Sequence, residues 1–351
     1  MRSAGFRAVL SPSLQYWNWP DGAVDPWRSF RWFMVRNLIF FGRQVVSEIA
    51  HIASFNPDVI VSDTRLSSII AGKMLGKPVL TILNQLYIIA PGFVHHRFVS
   101  NLAKAFCLGV VASLWGLSDT IIVPDFPPPY TIAAQNMLIP KIYREKVKFI
   151  GPILPVRYEE LPEVGEIRKK FGLDDRPLIY AALSGPRSER RWFGEKLLKA
   201  FKKFPDRYQV VVSLGDLGNS HNANNSHYGE NVKVYNWLPQ RFEMLKASDI
   251  VVGRGGHTTT VQSLAYGKPL ILIPTQEQTE QIGNAKTALM LGVAEVLDQR
   301  RISAEILLNA SDRLLNSKDY STKAREFRET ALKTNAIEDL TSRIVAYAGS
   351  R

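Results

Sequence analysis

Cysteine is nearly absent: Cys107 is the one thiol among 351 residues. A lone thiol closes no internal disulfide, so the composition excludes a disulfide-built scaffold and points to a reducing compartment. No group of cysteines and histidines has zinc-ligand spacing, so neither a structural metal nor a metal cofactor is expected. Long apolar runs are lacking too. A helix that spans a bilayer needs about 20 apolar residues in a row, and the longest candidate, AFCLGVVASLWGL at 105–117, has only the length of a buried helix. Met1-Arg2 leads into no apolar h-region, so no signal peptide is expected and a cytoplasmic location is. Acidic residues are outnumbered, 32 against 44 Lys and Arg, for a net charge of +12 at pH 7. That excess favours anionic partners, whether nucleic acid, anionic lipid or phosphorylated ligands, without choosing among them. No tandem repeat is visible.

What is present is a globular balance of 46% hydrophobic and 22% charged residues, in a chain long enough for two domains. Short apolar runs alternate with helix-length segments. One series comprises PDVIVS, PVLTIL, DTIIVP and VKFIG; a second comprises PLIYAAL, YQVVVSL, VKVYNW, DIVVG and PLILIP. Helical patterns lie between them at 67–75, 190–204, 241–247, 258–266 and 279–291, and from 303 to the end. Such alternation predicts parallel sheets wound by right-handed crossovers, in two doubly wound α/β domains. Prolines and glycines break both periodicities after Gly151. The expected division is therefore 1–150, a linker at 151–175, a second domain at 176–335 and a terminal helix at 336–351.

In VVGRGGHTTTVQSLAYGKPLILIP, a strand ends on Arg254-Gly255-Gly256 and a helix opens on His257-Thr258-Thr259. Free backbone N–H groups, the positive helix end and small hydroxyls then meet at a sheet rim, which suits a phosphate. The same residues also suit a plain strand-to-helix turn with threonine caps. YNWLPQ stands upstream and PTQEQTEQIGNA downstream. This ordered set resembles the donor-nucleotide signature of GT-B glycosyltransferases, in particular the MurG-like, monogalactosyldiacylglycerol-synthase-like and UDP-glucuronosyltransferase-like branches with a family 28 type C-terminal domain. The resemblance covers roughly 177–297 and, more loosely, 56–85.

The resemblance implies two Rossmann-like domains facing a cleft and a UDP-sugar donor. It places Trp237 against the uracil and Gln240 near the nucleoside, with Gly255, Gly256, His257, Thr258 and Thr259 about the diphosphate. Glu280 and Gln281 would reach sugar hydroxyls and Asn284 would close the pocket. Ser184 and Gly185, in the LSGPR turn, would face the phosphates from across the groove. Gln262 stands where the family usually carries a ribose-binding glutamate, and Arg254 where the plant enzymes carry a phosphate-contacting histidine, a change expected to strengthen anion binding. Bland alternatives stand beside these roles: Trp237 as core, Glu280-Gln281 as a capping pair, Gln262 as an exposed helix residue.

The family usually opens with a strand, a glycine-rich loop and a helix. Residues 1–13 read instead as the end of that helix and the second strand. Asp63, just past a strand, is the candidate general base, or else a helix N-cap; His95 and His96 are further candidates or solvated loop residues. PWRSFRWFMVRNLIFFGR at 26–43 interleaves Phe30, Phe33, Leu38 and Phe41 with Arg28, Arg31, Arg36 and Arg43. It suits an anionic membrane surface or a core helix with snorkelling arginines. No nucleic-acid recognition motif accompanies it. The reading is a metal-independent, inverting glycosyltransferase, peripheral on the cytoplasmic membrane face, that passes N-acetylglucosamine or a hexose from UDP to a lipid-linked or polyprenyl-linked hydroxyl acceptor. A catalytically deficient scaffold subunit and a UDP-N-acetylglucosamine 2-epimerase are the alternatives.

Overall fold

The computed structural model describes residues 5–12, 38–86, 112–137, 139–216, 226–227, 231–276 and 278–349. His95, His96, Cys107 and positions 26–37 of the aromatic-basic segment lie outside them.

In the first half, helix α1 (Leu38–Phe55) leads to β1 (Ile60–Asp63), α2 (Leu66–Met74), β2 (Val79–Ile82), the short α3 (Ala112–Trp115), β3 (Thr120–Val123) and β4 (Val147–Phe149). The four strands form one parallel sheet in the order β1-β2-β3-β4. β3 reads TIIV and is buried throughout, as a parallel strand covered on both faces must be. β1, at one edge of the sheet, alternates buried and exposed residues, as a strand with one covered face does. Residues 6–12 form no strand, contrary to expectation. They are held by side chains instead: Gln44 donates to the Pro12 carbonyl at 2.6 Å, and Arg65 donates to Ser11 Oγ at 2.7 Å.

The second half runs α4 (Val164–Lys170), β5 (Leu178–Ala182), α5 (Arg187–Phe201), β6 (Gln209–Ser213), β7 (Ser226–His227), β8 (Val232–Tyr235), α6 (Arg241–Ala247), β9 (Ile250–Gly253), α7 (His257–Ala265), β10 (Leu270–Leu272), α8 (Thr279–Met290), β11 (Ala294–Val296), α9 (Ala304–Asn316), α10 (Lys318–Leu332) and α11 (Ala336–Gly349). Its sheet has the order β11-β10-β9-β5-β6-β8-β7, parallel except for the antiparallel edge strand β7. Nine of these eleven strands coincide with the apolar runs of the sequence; β7 and β11 lie outside those runs. Separate cores lie on the two faces of this sheet, one including Tyr180, Val251 and Leu264, the other Ile179, Val252 and Phe201.

Two connections tie the halves together. The segment after β3 enters the second half's core, where Phe126 and Tyr130 meet Phe327 edge-on at 4.9 and 5.1 Å. Helix α11 returns to the first sheet, where Ala336 and Leu340 pack with Ile122, Ile150 and Ile82, and Tyr347 OH lies 2.7 Å from Thr120 Oγ1. The stretch read as a linker is partly ordered, since α4 is buried at Ile167 and Arg168. Asn84 beyond β2 and Asp125 beyond β3 contact residues of α7 and α8, so the carboxyl ends of both sheets face one cleft.

Candidate functional site

Strand order reverses between β5 and β9: the chain goes from β5 outward to β6 and β8, then returns to β9 and proceeds the other way. In an open α/β sheet the crevice beyond the strand ends at such a point receives the ligand. The loops there are Ser184-Gly185 after β5 and Arg254 to Gly256 after β9. Both open into helices whose N-cap residues make no side-chain cap, so the positive N-terminal ends of α5 and α7 converge on the crevice.

Gly255 has φ +83°, and a Cβ on it would stand 2.9 Å from the Gln281 carbonyl, so only glycine fits. Gly256 is the N-cap of α7, with nothing within 4 Å of where its Cβ would be: open space above the turn. Thr258 is exposed and Thr259 half-buried on the first turn of the helix. Trp237 and Gln240 follow β8 and are exposed, Trp237 by 36%, which removes the core alternative for the indole. They are brought beside α7 by Arg241, whose guanidinium donates to Gln262 Oε1 at 2.7 Å.

Other candidates have tasks the sequence does not reveal. Arg254, expected to add a full charge to the anion site, is buried and paired within the protein. Its guanidinium donates through Nε and a terminal nitrogen to Glu189 Oε1 at 3.0 and 2.8 Å, bonds Thr275, and lies 4.3 Å over the Phe193 ring. Glu189 sits in the first turn of α5, so the pair braces the two glycine loops from beneath. Gln262 is buried, not an exposed helix residue, and its Nε2 donates to the Ile153 carbonyl at 2.9 Å. Gln281 accepts from Thr275 N at 2.8 Å and thereby holds the loop after β10. The cap of α8 is Gln278, which accepts from Gln281 N, so Glu280 is not half of a capping pair. Glu280 Oε1 instead accepts from His257 N at 3.3 Å and from Asn84 Nδ2 at 3.4 Å. Asn284 is fully buried and donates to the Gly255 carbonyl at 3.0 Å.

Asp63 is exposed at the end of β1 and is not a helix cap; the N-cap of α2 is Arg65. The following residue, Thr64, holds φ +51°, a strained conformation for a β-branched side chain, fixed by Thr64 N to Ile82 O at 3.1 Å and by Ser62 Oγ donating to Arg65 O at 2.7 Å. Residues missed by sequence reasoning are Asn84, Asp125, Asn136, Glu189, Arg241 and Thr275. Asp125 carries a signal, because it directly follows the DTIIVP run at a strand's carboxyl end; Asn136 carries none. Among the described residues no group of three or more His, Cys, Asp or Glu comes together to hold a metal, and no helix is long and apolar enough to cross a membrane.

Comparison with known proteins agrees with this architecture. Residues 189–344 match the glycosyltransferase family 28 C-terminal domain. An uncharacterized glycosyltransferase of Methanosarcina mazei is 28% identical over 280 residues, covering 80% of this chain and 71% of that protein. MurG of Acinetobacter baumannii superposes with TM-score 0.58 at 17% identity, covering 88% of this chain and 79% of MurG. The S. aureus MnaA–UDP structure gives TM-score 0.56 at 14% identity, covering 88% of this chain and 80% of that one. The chain is a glycosyltransferase of GT-B fold whose C-terminal half carries a family 28 C-terminal domain.

Proposed function

We propose that the chain transfers a sugar, N-acetylglucosamine or a hexose, from UDP to a hydroxyl of a lipid-linked acceptor, by direct displacement with inversion. The observation that carries the donor half is the open, glycine-walled N-terminus of α7 at the switch point, with an exposed tryptophan beside it. A diphosphate fits that helix end through backbone N–H groups and the Thr258 hydroxyl, and the uracil fits against Trp237. In the transfer, an acceptor oxygen attacks the anomeric carbon as the bond to the UDP oxygen breaks; the acceptor proton passes to a base and the helix end stabilises the departing diphosphate, so no bound cation is needed. Asp63 is the base this reading favours: it stands exposed beside the strained Thr64 at the carboxyl end of β1, whereas Asp125, beyond β3, is buried and already accepts three backbone N–H groups.

An acceptor at a membrane surface is supported by apolar exposure around α1. Leu10 is 93% exposed, and Ile39 and Val46 on α1 are exposed as well. The segment carrying Leu10 is fastened to α1 through Ser11, which donates to Glu48 at 3.0 Å. Side chains of this kind suit the headgroup boundary of an anionic bilayer, which the chain's positive charge also attracts.

Titration calorimetry with UDP and UDP-N-acetylglucosamine, without added metal, tests the donor assignment alongside Thr258→Ala and Trp237→Ala. Micromolar binding, weakened about tenfold or more by Trp237→Ala through the loss of a stacked base, is the expected result. No binding of any uridine nucleotide by the wild-type chain would sink it.

A further inference from the structure

Two buried polar side chains from the first half grip the donor turn of the second. Asp125 Oδ1 accepts from Phe126 N at 2.7 Å and Ile132 N at 3.3 Å, and Oδ2 accepts from Ala133 N at 2.8 Å and faces His257 Nε2 at 3.1 Å. The three backbone donors fix this carboxylate in place, and through Oδ2 it holds the His257 ring at Nε2. Asn136 Nδ2 donates to Asn284 Oδ1 at 3.0 Å and to the Glu280 carbonyl at 3.2 Å. This contact needs Gly283, since a Cβ there would lie 2.6 Å from Asn136 Oδ1. Asn284 in turn pulls the Gly255 carbonyl inward at 3.0 Å.

That last bond sets a direction. A trans peptide is planar and its C=O and N–H point opposite ways. With the Gly255 carbonyl drawn into the protein, the Gly256 N–H is turned outward, into the open space above the turn. The bonds are not what keeps the halves together, because the Phe126, Tyr130 and Phe327 rings and the return of α11 already join them.

We propose that Asp125 and Asn136 are positioning residues of the donor site: Asp125 through the His257 ring, and Asn136 through Asn284, pre-set the Gly256 N–H and the N-terminus of α7 toward the diphosphate. The assignment rests on the donor reading above and extends it, making donor affinity depend on the half of the molecule that does not itself take the nucleotide.

UDP calorimetry on the full chain, with urea unfolding of each variant in parallel, tests this. Asp125→Asn and Asn136→Ala each weaken UDP about tenfold, the usual scale for loss of one ordered polar contact. In an Asn284→Ala background Asn136→Ala has no further effect on UDP affinity, because it acts through that residue; a merely structural role would lower stability and leave the affinity of the folded variants unchanged. Asn136 caps no backbone N–H with its side chain, so Asn136→Ala and the cycle carry the test by themselves should Asp125→Asn not fold. Wild-type binding with folded variants unchanged within twofold overturns the proposal alone. Absence of UDP binding by the wild-type chain overturns the donor reading and this proposal with it.

Discussion

The Glu280 carboxylate accepts a hydrogen bond from the backbone N–H of His257 at 3.3 Å, so an internal anion stands at the helix end where the diphosphate is proposed to lie. A negative charge at a helix N-terminus is favourable until a second one arrives, and then the two compete.

Glu280→Gln is therefore expected to tighten UDP binding roughly threefold, which corresponds to a helix-end charge effect of about 0.3–1 kcal/mol. Calorimetry reads this directly. Unchanged or weakened UDP binding would show that the carboxylate is not in the path of the diphosphate.

Arg254 and Glu189 form a buried pair beneath the glycine loops. Removing the cation alone leaves an uncompensated buried carboxylate, so Arg254→Met is expected to cost about 3–5 kcal/mol. The double variant Arg254→Met/Glu189→Gln, which removes both charges, should recover most of that loss in urea unfolding. Equal losses in the single and double variants would show that the pair is not the source.

Gln262 spends both ends of its amide, accepting from Arg241 at 2.7 Å and donating to Ile153 O at 2.9 Å. Gln262→Glu restores the charge usual in the family but sets a carboxylate oxygen against a carbonyl, at a net cost of about 1 kcal/mol after the stronger bond to Arg241 is counted. UDP affinity should stay within twofold. A tenfold gain would mean that position 262 reaches the ribose.

Lys268 donates to the Lys246 carbonyl at 2.9 Å, and burial pulls its pKa down to about 8 from 10.5. Below pH 8 both folded and unfolded chains carry the proton and the burial penalty is present in full. Between about 8 and 10.5 only the unfolded chain holds it, so this residue makes stability rise with pH. Unfolding free energies of wild type and Lys268→Met, compared from pH 7.5 to 9.5, should diverge in favour of wild type. Tyr180, pushed up to about 12 by burial, acts in the opposite sense only above pH 10 and leaves that window clean. Parallel curves would refute the shift.

The order of strands and helices was legible in the sequence because it follows from side-chain period: β-branched runs such as VVV at 210–212 suit only a buried strand, and Gly255-Gly256 before the first turn of α7 suits only a strand-to-helix turn. Local chemistry also marked the open N-terminus of α7. What the tertiary structure alone decided is which of the polar residues face the groove. Arg254 became a brace because Glu189, 65 positions away, shares its burial. His257 found Asp125 at a separation of 132 residues, and Asn284 found Asn136 at 148. A charge or an amide in the sequence carries no record of its partner. Whether it meets a ligand or a neighbour depends on which buried group must be satisfied once the two sheets face each other, and only the packed chain fixes that.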